Sequence, residues 1–155
     1  MTTGYGLAAR LDSWQLVDMG KVTVQMKLTN HDDLVLRALK LRKRKPRTIE
    51  AEALVDTGAT RLYLQTSLIK HLGLRRDSEV QSKTTNGVRR RSVYQPVRLE
   101  VMGRHGVFEV VEVDDDVPNL LGQIPLEHLD FVVHPKTQQL VPNPEHGDKQ
   151  MSEEY

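Results

Sequence analysis

The stretch that most constrains this chain runs from Ala53 to Thr60, where an apolar segment ends at an acid, a threonine and a glycine. The apolar residues are typical of a buried strand, so Asp56 is expected at the strand's end. Gly58 allows a sharp turn that brings the backbone close to the acid. A carboxylate in such a place needs hydrogen bonds, which the Thr57 hydroxyl and the Gly58 amide can supply. Taken alone, Asp-Thr-Gly is more typical of an Asx turn that ends a strand.

Size and composition indicate a single soluble globular domain, with 155 residues, 38% hydrophobic and 28% charged. No apolar run approaches the roughly 20 residues that cross a bilayer, and no signal peptide is recognisable at the N-terminus. The chain has no cysteine, which excludes thiolate chemistry and fits a cytoplasmic protein. We therefore expect no membrane partner.

The spacing of apolar residues predicts a mostly β chain. Alternation from Val22 to Leu28 predicts a strand, followed by a turn at 29–33 and a second strand that opens at 34–36. Further strands are predicted at 48–55, 62–64, 97–101, 107–113, 131–133 and 139–141. Two short helices are predicted, one capped by Thr66 or Ser67 and ended by Gly73, the other running from Pro125 to Leu129.

Residues 77–101 are predicted to form a long hairpin. Its turn is placed at Asn86-Gly87, a pair that suits a type I′ turn. Both arms are polar near the tip, so the hairpin is expected to project from the core.

Three parts are expected along the chain: an N-terminal extension at 1–19, a domain at 20–144 and a polar C-terminal tail at 145–155. For the extension, a short helix over Gly6–Leu16 and a frayed segment both remain open. The tail is expected to be loosely held.

Two motifs in a fixed order carry a resemblance to a known family. The first is Leu54–Ala59, before the first helix, and the second is Leu120-Leu121-Gly122, before the second helix. With Leu126–Pro135 and Leu140–Pro142, they resemble the retropepsin-like aspartic proteases, and most of all the small stand-alone bacterial members. The resemblance covers Gly20 to about Pro144.

The resemblance implies a closed acid-protease barrel in which the long hairpin is a flap over the cleft. It makes Asp56 the catalytic acid, supported by Thr57, Gly58 and Ala59. It assigns substrate binding to the flap tip and the base of the cleft, namely Thr84, Thr85, Asn86, Gly87, Val88, Leu121 and Gly122. No metal and no organic cofactor is required.

Peptide hydrolysis by carboxylates needs two of them sharing one proton, so that one activates water while the other protonates the carbonyl oxygen. This chain has one Asp-Thr-Gly and is too short to contain two such halves. The expected solution is a symmetric homodimer that brings both copies of Asp56 together. The resemblance further implies that the Thr57 hydroxyl bonds to the partner's backbone. The expected activity is that of an aspartic endopeptidase acting on peptide or protein substrates.

Three positions depart from the family pattern. Retroviral members often have an Asp and an Arg where this chain has Thr60 and Gln123, so that ion pair is absent. His134 stands where related bacterial chains tend to have Asp. These changes leave the catalytic motif intact and bear on how the subunit interface is held.

Other functions are compatible with the same residues. A protease-like fold can serve as a catalytically silent dimeric binding module, and the basic run at 37–47, with Arg89–Arg91, can contact nucleic acid. Few aromatic residues lie near these stretches to stack bases, so solvated surface charge is the preferred interpretation. A third possibility is that the basic arms of the hairpin favour acidic substrates.

Overall fold

The computed structural model describes residues 21–147 and 149–151, with Thr84 described by its backbone alone. These residues are mostly β, with 50% strand and 17% helix, which confirms the predicted fold class. The strands are β1 Val22–Asn30, β2 Thr48–Val55, β3 Leu62–Gln65, β4 Arg76–Thr84, β5 Gly87–Val101, β6 Arg104–Val113, β7 Leu120–Leu121, β8 Phe131–His134 and β9 Gln139–Pro142. The helices are α1 His31–Ala38, α2 Thr66–Leu72 and α3 Gln123–Leu129. The predicted extension at 1–19 lies outside the described residues.

Six strands form a ring in the order β1-β2-β7-β3-β6-β5, because β5 pairs back onto β1. The short strand β7 lies between β2 and β3: Val55 pairs with Leu121 in parallel and Leu62 pairs with Leu121 in antiparallel register. Strands β8 and β9 form a separate hairpin. The arrangement is consistent with the closed acid-protease fold that the sequence predicts.

One hydrophobic core connects the ring with the helices. Side chains from β1, β3, β5, β7 and helices α2 and α3 contribute to it, among them Leu28, Leu64, Leu72, Leu99, Leu121 and Leu129, all of which are fully buried. The alternation that predicts β1 is visible here, since Met26 and Leu28 are buried and Lys27 between them is exposed.

Helix α1 corrects the prediction of a turn at 29–33 and a strand at 34–36. Asn30 caps the helix, its side chain accepting a hydrogen bond from the Asp33 amide at 3.0 Å. Two acids lie in the first turn and Arg37 in the last, which suits the helix dipole. The capping residue and these charges outweigh the weak strand preference of the short Leu-Val-Leu segment.

The β4–β5 hairpin has its turn one residue earlier than predicted. Thr84 pairs with Gly87, so the turn residues are Thr85 and Asn86. Gly87, with φ of +111°, opens the return strand instead of lying within the turn.

Strand β5 pairs with three other strands of the same sheet, β4, β6 and β1. A register shift against β6 falls between Tyr94 and Val97, at the proline that has no amide to donate. From Val97 onward, β5 pairs with both β1 and β6. Within the described chain, β4 pairs with β5 alone, so the hairpin extends from the ring as expected.

Helix α2 ends at Gly73 as predicted, with that residue at φ of +62°. The predicted caps are wrong, because Gln65 is the N-cap residue and makes no side-chain cap bond. The Ser67 amide is instead satisfied by the carboxylate of Asp115, 2.9 Å away. A capping group from a distant loop is not visible in local sequence.

The described part of the C-terminal tail is held more firmly than expected. Asp130 is 5% exposed, and its carboxylate accepts hydrogen bonds from Asn143 Nδ2 at 3.2 Å and the Met151 amide at 3.0 Å. His146 Nδ1 lies 2.6 Å from the same carboxylate. Burial raises the pKa of Asp130, but the bonds from Met151, His146 and Asn143 outweigh it and the net shift is downward.

Among the described residues, no helix combines the length and apolar character needed to cross a membrane.

Candidate active site

Asp56 follows the last residue of β2 directly, and three hydrogen bonds fix its loop. Its amide donates to the carbonyl of Leu121 at 3.0 Å, which continues the β2–β7 pairing. Its Oδ1 accepts from the Gly58 amide at 2.9 Å, and its carbonyl accepts from the Ala59 amide at 3.1 Å. The carboxylate is partly exposed, so it is oriented by the backbone and still open to a ligand.

The second motif packs directly against the first. The Gly122 amide donates to the Arg61 carbonyl at 2.9 Å, and the next two amides, of Gln123 and Ile124, donate to the carbonyls of Ala59 and Thr60. A Cβ at Gly122 would lie 2.4 Å from the Arg61 oxygen. Only glycine permits this approach, so α3 begins against the Asp56 loop and holds it from below.

Asn119 is a residue of the site that sequence reasoning missed. It is 6% exposed; its Nδ2 donates to the Glu52 carbonyl at 2.9 Å and its Oδ1 accepts from the Gln65 amide at 2.8 Å. It thereby ties β2 and β3 together just before β7 enters between them. The one feature of the sequence that points to it is the position of this asparagine, directly before the apolar Leu120-Leu121 pair.

A groove of about 560 Å³ lies between the Asp56 loop and the β4–β5 hairpin. Its lining residues come from both sides and from β6, and they are Asp56, Gly58, Ala59, Thr60, Arg61, Tyr63, Val80, Gln81, Ser82, Lys83, Arg91, Val111, Val113, Val117 and Leu120. The arrangement places Asp56 in an open groove beside the hairpin.

The structure brings some predicted site residues together and separates others. Asp56, Gly58 and Ala59 line the groove, whereas Thr57 is exposed beside it. The hairpin contributes residues 80–83 of β4 to the groove, and the exposed tip at 85–88 lies outside its lining. Leu121 and Gly122 are buried under the Asp56 loop, and the groove is lined by Leu120 instead.

Two of the three positions that depart from the family pattern form local side-chain hydrogen bonds. Gln123 Nε2 donates to a Glu127 carboxylate oxygen at 3.1 Å, on the exposed face of α3. His134 Nδ1 accepts from the amides of Lys136 and Thr137, at 3.2 and 3.3 Å. The imidazole thus accepts hydrogen bonds from two backbone amides of the β8–β9 turn, a role that an aspartate side chain commonly fills.

Two arginines of the basic run bind an internal carboxylate. Asp33 is 2% exposed, and it accepts hydrogen bonds from Arg47 Nε at 2.8 Å and Arg42 Nη1 at 2.7 Å. The Arg47 side-chain bond, with smaller contributions from its amide and from both charges, outweighs burial and lowers the pKa of Asp33 to about 2. Arg42 and Arg47 therefore help to hold α1, while the lysines between them remain exposed.

Comparison with known families agrees with this geometry. The family model for aspartyl protease matches residues 47–139, more than half of the 155 residues, and it belongs to the retropepsin-like clan. The chain is therefore a member of this aspartyl protease family. Comparison with curated proteins gives no match.

Proposed function

We propose that this chain is an aspartic endopeptidase that works as a homodimer, with one Asp56 from each subunit in a shared catalytic pair. Family membership supports aspartic protease activity in general. The observation that carries the finer proposal is the position of Asp56, which is fixed by backbone hydrogen bonds, partly exposed, and directed to the groove beneath the hairpin.

The need for a second subunit follows from the composition of the groove. Among the described residues that line it, Asp56 is the sole carboxylate. Water activation and carbonyl protonation require two carboxyl groups that share one proton. A two-fold axis close to Asp56 would supply the second from an identical chain.

Within this proposal, the remaining predicted residues take supporting roles. The Gly58 amide orients the Asp56 carboxylate, and Ala59 anchors the start of α3 through its carbonyl bond to Gln123. In the described chain the exposed Thr57 hydroxyl has no hydrogen-bond partner, so it is free to bond to the partner subunit's backbone. The β4–β5 hairpin acts as a flap, with tip residues 84–88 closing over the substrate and excluding water.

The substrate is proposed to be a peptide bound in extended form between the loop and the flap. Its backbone would pair as an added strand, and alternate side chains would enter pockets on either side. Residues 20–144 would form the protease domain, and the proposed chemistry uses no metal or organic cofactor.

The test compares wild type with Asp56→Asn on a peptide library from acid to neutral pH. The variant should lose peptidase activity while its circular dichroism spectrum and unfolding midpoint stay close to wild type, since a partly exposed side chain changes by one atom. Asp116→Asn, at an exposed position, is the matched control and should retain activity. Cleavage by Asp56→Asn at the wild-type rate would refute the assignment of Asp56, whereas absence of cleavage by wild type would favour a non-catalytic binding role.

A further inference from the structure

The groove beside Asp56 carries an excess of positive charge. Its lining includes the cationic side chains of Arg61, Lys83 and Arg91 and the single carboxylate of Asp56. Arg61 belongs to the Asp56 side of the groove, whereas Lys83 and Arg91 come from the two strands of the hairpin. The positive charge therefore faces a bound ligand from both walls.

These cations differ from three other arginines on or near the hairpin. Arg75, Arg76 and Arg89 each form an ion pair, with Asp32, Glu79 and Asp114 respectively. Within residues 21–147 and 149–151, neither Arg61 nor Lys83 forms one, and the guanidinium of Arg91 makes a long hydrogen bond of 3.4 Å to the Glu112 carbonyl. The groove thus keeps charges that are not neutralised by the described residues.

We propose that Arg61 and Lys83 select peptide substrates that carry a carboxylate side chain near the scissile bond. The inference rests on the proposed function and names its substrate class. A guanidinium binds a carboxylate through paired, charge-assisted hydrogen bonds, and a carboxylate held between the walls would meet a cation on each side. The apolar lining, which includes Val80, Val113 and Leu120, accepts the neighbouring side chains.

Symmetry gives the proposal a further consequence. In a two-fold dimer the cationic pair is repeated on both sides of the catalytic centre. Because side chains of an extended peptide alternate between two faces, an acid is favoured at matching positions before and after the scissile bond.

The experiment uses peptide pairs that differ only by Glu or Gln at one position, scanned on both sides of the cleaved bond. For at least one position, kcat/KM for the Glu peptide should exceed that for the Gln peptide by about fivefold or more. Added salt should reduce this ratio. The double variant Arg61→Glu and Lys83→Glu should invert this preference, so that a peptide with Lys at the same position is cleaved faster than the Glu peptide. The control Lys70→Gln, on the exposed face of α2, should leave the ratio unchanged.

Binding of the same peptides to Asp56→Asn, followed by fluorescence anisotropy, separates the two proposals. Tighter binding of the Glu peptide supports charge selection even if turnover is absent. Equal kcat/KM and equal binding for every pair, with cleavage that still depends on Asp56, would overturn the inference and leave the proposed function standing. Absence of cleavage by wild type would refute the proposed function alone.

Discussion

The Gly122 amide lies 2.9 Å from the Arg61 carbonyl oxygen, and a Cβ on that glycine would come within 2.4 Å of the same oxygen. The chain just after the first motif therefore meets the second motif backbone to backbone at this point, with no room for a side chain on Gly122. Gly122→Ala must displace main chain on one side or the other. We expect it to lower the free energy of unfolding by about 2–3 kcal/mol, measured by chemical denaturation.

Gly58→Ala is the matched comparison for that prediction. The nearest atom to its new Cβ would be Asp56 Oδ1 at 3.3 Å, the end of a side chain that can rotate. It should cost less than about 1 kcal/mol of stability. If the two variants lose similar amounts of unfolding free energy, the close backbone contact at Gly122 is not the reason why a glycine is needed there.

Asn119 provides a second prediction, because it satisfies backbone groups on two strands. Asn119→Ala leaves the Glu52 carbonyl and the Gln65 amide without their partners, so the free energy of unfolding should fall by about 2–3 kcal/mol. Asn119→Leu should lose a similar amount despite its larger volume. Gln123→Ala, which removes only an exposed amide bond, should change stability by less than about 0.5 kcal/mol. A Leu variant as stable as wild type would contradict this role.

Asp33 gives a prediction about pH. The pKa of Asp33 is lowered from 3.8 to about 2, so the folded state holds the ionised form and gains stability above pH 3.8 that is lost as the pH falls through about 2. The shift corresponds to about 2 kcal/mol. Asp33→Asn should lose about that amount at neutral pH, and the difference from wild type should shrink as acid is added.

Urea unfolding at a series of acid pH values measures the difference in unfolding free energy between wild type and Asp33→Asn. Asp116→Asn, at an exposed position, controls for the general titration of surface carboxylates and should follow the wild-type curve. A constant difference between wild type and Asp33→Asn down to the lowest pH would show that the ion pair with Arg47 is not its source.

The proposed homodimer predicts that specific activity falls on dilution below the dimer dissociation constant. Thr57→Val, which removes the hydroxyl and keeps the shape, should raise that constant about tenfold, the effect of losing about 1.4 kcal/mol in hydrogen bonding across the axis. Thr57→Ser keeps the hydroxyl, so its dimer dissociation constant should stay near the wild-type value. Sedimentation and activity are measured over the same concentrations; activity that stays proportional to enzyme in a fully monomeric sample would exclude a shared site.

Long-range partners limited what the sequence could predict. Local apolar spacing and turn residues were enough to predict three elements. These are the strand that leads to Asp56, the helix that contains Pro125, and the β8–β9 hairpin. Helix α1 was missed although its Asn30 cap is local, because the ion pair that holds the helix joins Asp33 to Arg47, 14 residues away. Asn119 was missed because its two partners, Glu52 and Gln65, lie 67 and 54 residues away.

The placement of the hairpin residues shows the same limit. Asn86-Gly87 indicated a turn correctly to within one residue, but not that β4 would present residues 80–83 to the groove. That depends on the path of β5, whose register against β6 shifts between Tyr94 and Val97. Which residues face the groove is decided by the path of the strand, and local patterns do not contain that path.

Because β5 pairs with β1 and closes the ring, the chain can change its length in some places more easily than in others. A residue added within any of the six joined strands would either shift its pairing with the neighbouring strands or force a β-bulge, since the ring has no edge strand that could slip freely. Length changes should therefore be tolerated at the hairpin tip, 85–86, and in the turns at 102–103 and 135–138. Laboratory evolution that seeks new substrates can therefore lengthen the chain at those three turns.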